Sequence, residues 1–232
     1  MPKITEQYLG VIHGKMGPSV FKEVNGIPYL AKAPKISSAT SDPTIIAHRS
    51  RFGLTMKLGH AINAIPQLKY FWKDVVVPGH PKAKYPINKI VLLNYQYVSS
   101  TGISDLTSLV PDKGFVAQAS DIAMSNTQIE VTLEPIMPNS FINLAVDKYL
   151  YLTCVLHLKD PVNPNGYPNR FFHLISARQN INLVNPLVFN LSLDNYDEQI
   201  YDEYTTKKAF LALVSTDVND VPLHYSNTFL SV

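Results

Sequence analysis

Cysteine is nearly missing from this chain: one residue, Cys154, in 232 excludes an internal disulfide. Its setting among leucines predicts a small buried hydrophobe rather than a reactive thiol. Charge is also scarce, since only 16% of the residues are Asp, Glu, Lys or Arg, where about a quarter is usual for a soluble domain. The longest apolar run, at 149–158, is about ten residues, half of what a membrane helix needs. The opening Met1-Pro2-Lys3-Ile4-Thr5-Glu6-Gln7 lacks the apolar core of a signal peptide, so a soluble chain without a Sec-type address is expected. Its location is not otherwise specified by the sequence, and an extracellular or particle-associated setting fits as well as a cellular one.

Catalytic signatures are lacking too. There is no His-Glu-x-x-His, no Cys-His cluster and no Gly-x-Ser-x-Gly. Gly14-Lys15-Met16-Gly17 lacks the upstream glycine and the following Ser/Thr of a phosphate loop. The run 194–204 carries five acids but neither the alternation nor the glycine of a calcium loop, and reads as a solvated loop or a short helical turn. No cofactor, metal, catalytic residue or small-molecule substrate is therefore expected. Nucleic acid is not expected either, because the basic residues are dispersed.

What is present begins with a hydrophobic content of 46%, enough for a packed core, together with 17 prolines and 13 tyrosines. Residues 42–74 form the one long amphipathic pattern. Asp42 precedes Pro43, a capping carboxylate followed by a proline at the first helical position. Leu54, Leu58, Ala61, Ile65, Leu68 and Trp72 then recur at four- and three-residue intervals, which predicts a buried stripe. Pro66 is expected to kink or divide the helix.

Elsewhere the pattern is that of strands. Asn25-Gly26 predicts a type I′ hairpin closing residues 20–24 onto 27–31. After a proline-rich connection at 75–86, strands are expected at 90–98, 115–119, 128–133, 148–158, 170–179, 187–193, 207–216 and 225–232. In 148–158 the even-numbered residues from Leu150 to Leu158 face one way and the odd-numbered ones the other. If the following loop is centred near Asn165, His157 stands opposite His173, read as two ordinary histidines rather than a metal pair. The expected fold is mainly β: an Ig- or fibronectin-like antiparallel β-sandwich over 87–232, behind an N-terminal β-hairpin arm and one long kinked amphipathic helix over 1–86.

The Gly14-Lys15-Met16-Gly17 motif, Asn25-Gly26 with its apolar arm, Pro34, Asp42-Pro43-Thr44, Arg49 with Arg51-Phe52, and the closing Tyr225-Ser226-Asn227-Thr228-Phe229 together resemble an uncharacterised domain family widespread in Bacteroidota. Met16 and Asp42 depart from the valine and asparagine common there. The resemblance implies architecture, an N-terminal arm and helix before a β-sandwich, and no activity.

Charge is divided along the chain. Residues 1–90 hold 13 Lys/Arg against 4 Asp/Glu, a net of +9, and residues 91–232 hold 7 against 14, a net of −7. Such a division suits copies that meet head to tail. The expectation is a non-enzymatic structural subunit whose partner is itself, assembling into a filament, tube or particle by arm exchange. Lys15, Lys22 and Lys32 of one copy would lie near Asp197, Glu198 and Asp202 of the next. A monomeric sandwich that binds carbohydrate or protein is the alternative.

Overall fold

Two thirteen-residue strands organise the larger part of this protein. The computed structural model describes residues 14–24, 27–33, 42–136, 138 and 141–231. The chain divides into two compact units, Met1–Ile45 and Ile46–Val232.

The smaller unit holds an antiparallel meander of β1 (Gly14–Met16), β2 (Ser19–Val24) and β3 (Ile27–Lys32). Val24 pairs with Ile27, the register of a two-residue hairpin, and the Asn25-Gly26 turn itself lies outside the described residues. Gly17 turns β1 into β2 with φ of 58°, a region open to glycine at no steric cost. Residues 1–13 and 34–41 also lie outside the described residues.

Helices come next. In α1 (Pro43–Ala64) Asp42 Oδ1 accepts from the Thr44 amide at 2.8 Å, the expected cap. Pro66 does divide the pattern: α1 ends and α2 (Pro66–Trp72) restarts with that proline at its first position. All six residues of the expected stripe are buried. A third helix, α3 (Pro86–Asn94), followed by a 3-10 turn at Tyr95–Tyr97, occupies what the sequence suggested as a strand at 90–98. Ile90 and Val91 are buried on it, and its Lys89 Nζ donates to the Lys73 carbonyl at the end of α2. It crosses α1 closely, for a β-carbon on Gly59 would stand 2.8 Å from Val91 Cγ2.

The remainder is antiparallel β structure. The first of its sheets joins β4 (Ala119–Met124), β5 (Gln128–Leu133) and β9 (Leu187–Ser192), in that order. The second has β6 (Tyr149–Pro161) and β10 (Tyr204–Thr216) at its centre. Around them lie β7 (Asn169–Ile175), β8 (Gln179–Asn180), β11 (Pro222–Tyr225) and β12 (Phe229–Leu230). The short helix α4 (Asn195–Asp202) leads into β10. The strand expected at 115–119 instead starts at Ala119, where β4 pairs with β5.

Alternation along the central strands creates two cores. Leu150, Leu152, Cys154, Leu156 and Leu158 join Ala209, Leu211 and Leu213 against Ile129, Val131, Phe189 and Leu191 of the smaller sheet. On the opposite face Val155, Phe210, Ala212 and Val214 meet Leu58, Ile62, Ile65, Leu68 and Trp72 of the helices. Antiparallel sheets preceded by helices are thus present, but this is not a clear immunoglobulin sandwich. Helices cover one face of the central sheet, where a free-standing sandwich would show polar side chains to water.

The end of β11 and the segment after it close the fold with their side chains. Tyr225 Oη donates to Asp112 at 2.8 Å, and Ser226 Oγ accepts from the Leu213 amide at 2.9 Å. Asn227 Oδ1 accepts from Ala117 at 2.7 Å and Thr228 Oγ1 from Leu109 at 2.9 Å. Gly114 lies against this segment with φ of 54°, and any β-carbon there would overlap the Tyr225 carbonyl oxygen. Gly114→Ala is therefore expected to destabilise by well over about 1 kcal/mol in urea unfolding, since both conformation and contact oppose it.

Trp72 is fully buried and its Nε1–H donates to the Leu109 carbonyl at 3.0 Å. Trp72→Ala should lower stability by about 3–5 kcal/mol, and native fluorescence should be that of a shielded indole. Emission at the wavelength of hydrated tryptophan would contradict this packing.

Candidate functional site

A cleft of about 740 Å³ opens between α1 and β7. On α1, Lys57 and His60 line it beside Ala61 and Ala64. Those positions fall on one helical face, and the two alanines leave room in front of the strand. β7 and the loop before it contribute Tyr167, Arg170, Phe172 and His173.

The loop is held by its own polar residues. Asn163 Oδ1 accepts from the Asn165 amide at 3.0 Å and its carbonyl accepts from Gly166 at 2.8 Å. Tyr204 Oη donates to the Tyr167 carbonyl at 2.8 Å, which presents the Tyr167 ring outward, 63% exposed. Two cations gather at that ring: the Arg170 guanidinium at 5.0 Å from its centroid and Lys57 Nζ at 5.8 Å. Burial opposes the charge of Arg170, but the nearby Tyr204 and Tyr196 hydroxyls outweigh it and raise its pKa, so the guanidinium stays charged. Arg170 Nε is shut off from solvent with no hydrogen-bond partner.

Below the cleft His157 is 4% exposed, stacked on Phe171 with centroids 4.7 Å apart and rings 12° from parallel. Its Nε2–H donates to Asn169 Oδ1 at 2.7 Å. The expected facing of His157 and His173 is not formed: His157 pairs with Phe171, and His173 with Val155. The turn is centred one residue earlier than Asn165, which moves every pairing by two.

The six residues expected at a subunit contact occupy two places. In the N-terminal meander Lys15 pairs with Val20 and Lys22 with Tyr29, positions sharing one face, while Lys32, opposite Ser19, belongs to the other. Lys22 and Lys32 are exposed. The acids lie on α4, whose cap is Asp194, accepting from the Tyr196 and Asp197 amides at 3.0 and 2.8 Å. Asp197 and Glu198 are half-buried, and Asp202 is exposed and accepts from Asn126 Nδ2 at 3.1 Å. Burial, reinforced by Asp194, raises the Asp197 pKa against the opposing pull of His173.

A Ser–Asp–His group does form elsewhere, though not as a nucleophile and base. Ser215 Oγ donates to Asp147 Oδ1 at 2.5 Å, and His224 Nδ1 meets the same oxygen at 3.1 Å. The carboxylate bridges the other two, so no imidazole can take the serine proton, and Ser215 is fully buried. Burial pushes the Asp147 carboxyl up, but bonds from Ser215, the Asn143 amide and His224 hold it below its usual value. The group ties β10 and β11 to the loop at 143–147.

No family model matches the chain, and no curated protein matches it significantly. No helix among the described residues is long and apolar enough to cross a membrane.

Burial of His157 lowers its pKa below 6.5, more than the Asn169 bond restores, and Lys159 and Lys208 act in the same direction as burial. Because the folded state resists the proton, its stability is complete above the unfolded value and falls as pH drops from there towards the folded one. The urea midpoint should therefore fall between about pH 7.5 and about pH 5.5, and fall less in His157→Gln. An equal drop in the variant would show that His157 is not the group responsible.

Proposed function

We propose that this protein is a non-enzymatic structural subunit that assembles with copies of itself through its N-terminal unit. The observation that carries the reading is the state of that unit's sheet. None of its residues with described side chains is buried, including Phe21, Tyr29 and Leu30. Phe21 and Leu30 pair on one face of this sheet and stay only half-buried, so that face keeps apolar surface to cover. A neighbouring copy would supply that cover.

Charge supports the same reading. The basic third of the chain includes exposed Lys22 and Lys32, and Asp202 stands exposed at the end of α4. Exposed pairs contribute about 0–1 kcal/mol each, so they would set register and salt sensitivity while apolar contact supplies most of the affinity. Phe52, Met56 and Leu92 add an apolar groove of about 540 Å³ between α1 and α3. The alternative, a monomeric module for carbohydrate or protein, draws on the aromatic and cationic cleft between α1 and β7.

Light scattering and negative stain distinguish the two. Large ordered species are expected at low salt, dispersing as salt rises. Lys22→Glu with Lys32→Glu should abolish them, and adding Asp197→Lys with Asp202→Lys should restore them in part. A full-length protein that stays monomeric at high concentration and low salt would overturn the assembly reading.

A further inference from the structure

We propose that the cleft between α1 and β7 binds a small organic anion, a carboxylate or phosphate carried on a flat ring. This inference is independent of the assembly reading. Its ground is the pair of basic residues that face this cleft. Lys159, Arg178 and Lys208 each meet a carboxylate, respectively Asp160, Asp220 and Asp105. Lys57 and Arg170 meet none among the described residues; both lie instead at the Tyr167 ring. A ring face attracts a cation without accepting its N–H groups; the Tyr204 and Tyr196 hydroxyls serve part of the Arg170 fork, and its Nε has no partner.

The cleft converges on that deficit. Its titratable lining comprises Lys57, His60, Tyr167, Arg170 and His173, and no carboxylate. Carboxylates stand outside this lining: Asp197 on α4 acts on His173, Asp202 and Glu203 share the neighbouring pocket with Arg170, and Asp160 shares another with Lys57. Each imidazole offers at least one N–H donor in either charge state. An arginine fork and a lysine beside it suit a carboxylate or phosphate, the first by paired donors and the second as a point charge.

Ring recognition follows from the remaining surface. Tyr167 is 63% exposed, and Phe172 lies half-buried in the same lining. A volume of about 740 Å³ falls within the range of sites for small ligands, which combine apolar walls with a few convergent polar groups.

The test is titration of the full chain, followed by amide and side-chain NMR, with phenyl phosphate, benzoate, inorganic phosphate and neutral benzyl alcohol. Phenyl phosphate or benzoate should shift Tyr167, Arg170 and His173 saturably, and the stronger of the two tells phosphate from carboxylate. Lys57→Met and Arg170→Met should each weaken that binding by about tenfold or more. Lys57 is exposed, so its variant keeps the test valid if the Arg170 variant fails to fold. The proposal is overturned if neither ring-bearing anion saturates, if benzyl alcohol binds as well, or if Lys57→Met leaves the affinity unchanged. Inorganic phosphate binding as tightly as phenyl phosphate would overturn the assignment of a ring-bearing ligand.

Discussion

Strand β6 is bonded to β10 along nearly its whole length, from Tyr149 opposite Thr216 to Pro161 opposite Tyr204. Most residues of this pair are buried whichever face they occupy. A ribbon apolar on both sides must be covered on both sides. The smaller sheet covers one face and the helices the other, so the layers of this unit follow from two sequence runs. Polar groups enclosed by this packing are largely satisfied locally. Thr153 donates to the Ala212 carbonyl at 2.7 Å, and Ser176 and Ser226 each accept a strand amide, from Leu152 and Leu213. Each bond spares the burial cost of an unpaired strand group.

How much of this was legible depended on the length of the pattern. The stripe from Leu54 to Trp72 and the alternation from Leu150 to Leu158 were readable because each repeats over many residues. The run Ile90-Val91-Leu92-Leu93 is too short and too uniformly apolar to reveal its period, and reads as strand. Pro86 was the better signal: a proline followed by Ile87, Ile90, Val91 and Asn94 has helical spacing and the proline in its favoured first position. Short α4 is half legible: the acidic run reads as a solvated loop or a short helical turn, and Asp194 three residues before Asp197 fits a capping start that favours the second.

The cleft was not legible, because nothing in the sequence joins Lys57 to Tyr167. Their proximity depends on α1 running beside β7, and on a hairpin register that the sequence placed one residue late. A shift of that size carries His157 from a facing pair with His173 into a stack on Phe171. Once buried there, the imidazole is held neutral by its surroundings and supports the cleft from below. A two-residue change of partner thus separates a metal-like pair from a supporting floor.

On the proposed assembly, the register of the N-terminal meander would also narrow how copies join. Val24 and Ile27 close a two-residue hairpin, so they form a hydrogen-bonded pair. Bonded and non-bonded pairs alternate in an antiparallel ladder, which makes Glu23 and Pro28 non-bonded. The backbone nitrogen of Pro28 therefore faces away from β2, at the edge of β3 that has no partner strand among the described residues, where proline has no N–H to donate. Strand addition along β3 would lose a ladder bond there, and Lys32 at the end of the strand adds a second discouragement. The β1 side of the sheet carries no such block between Gly14 and Met16. If copies exchange strands, β1 is the edge that can accept one, and the lysines on β2 and β3 are left to select the acidic surface that follows.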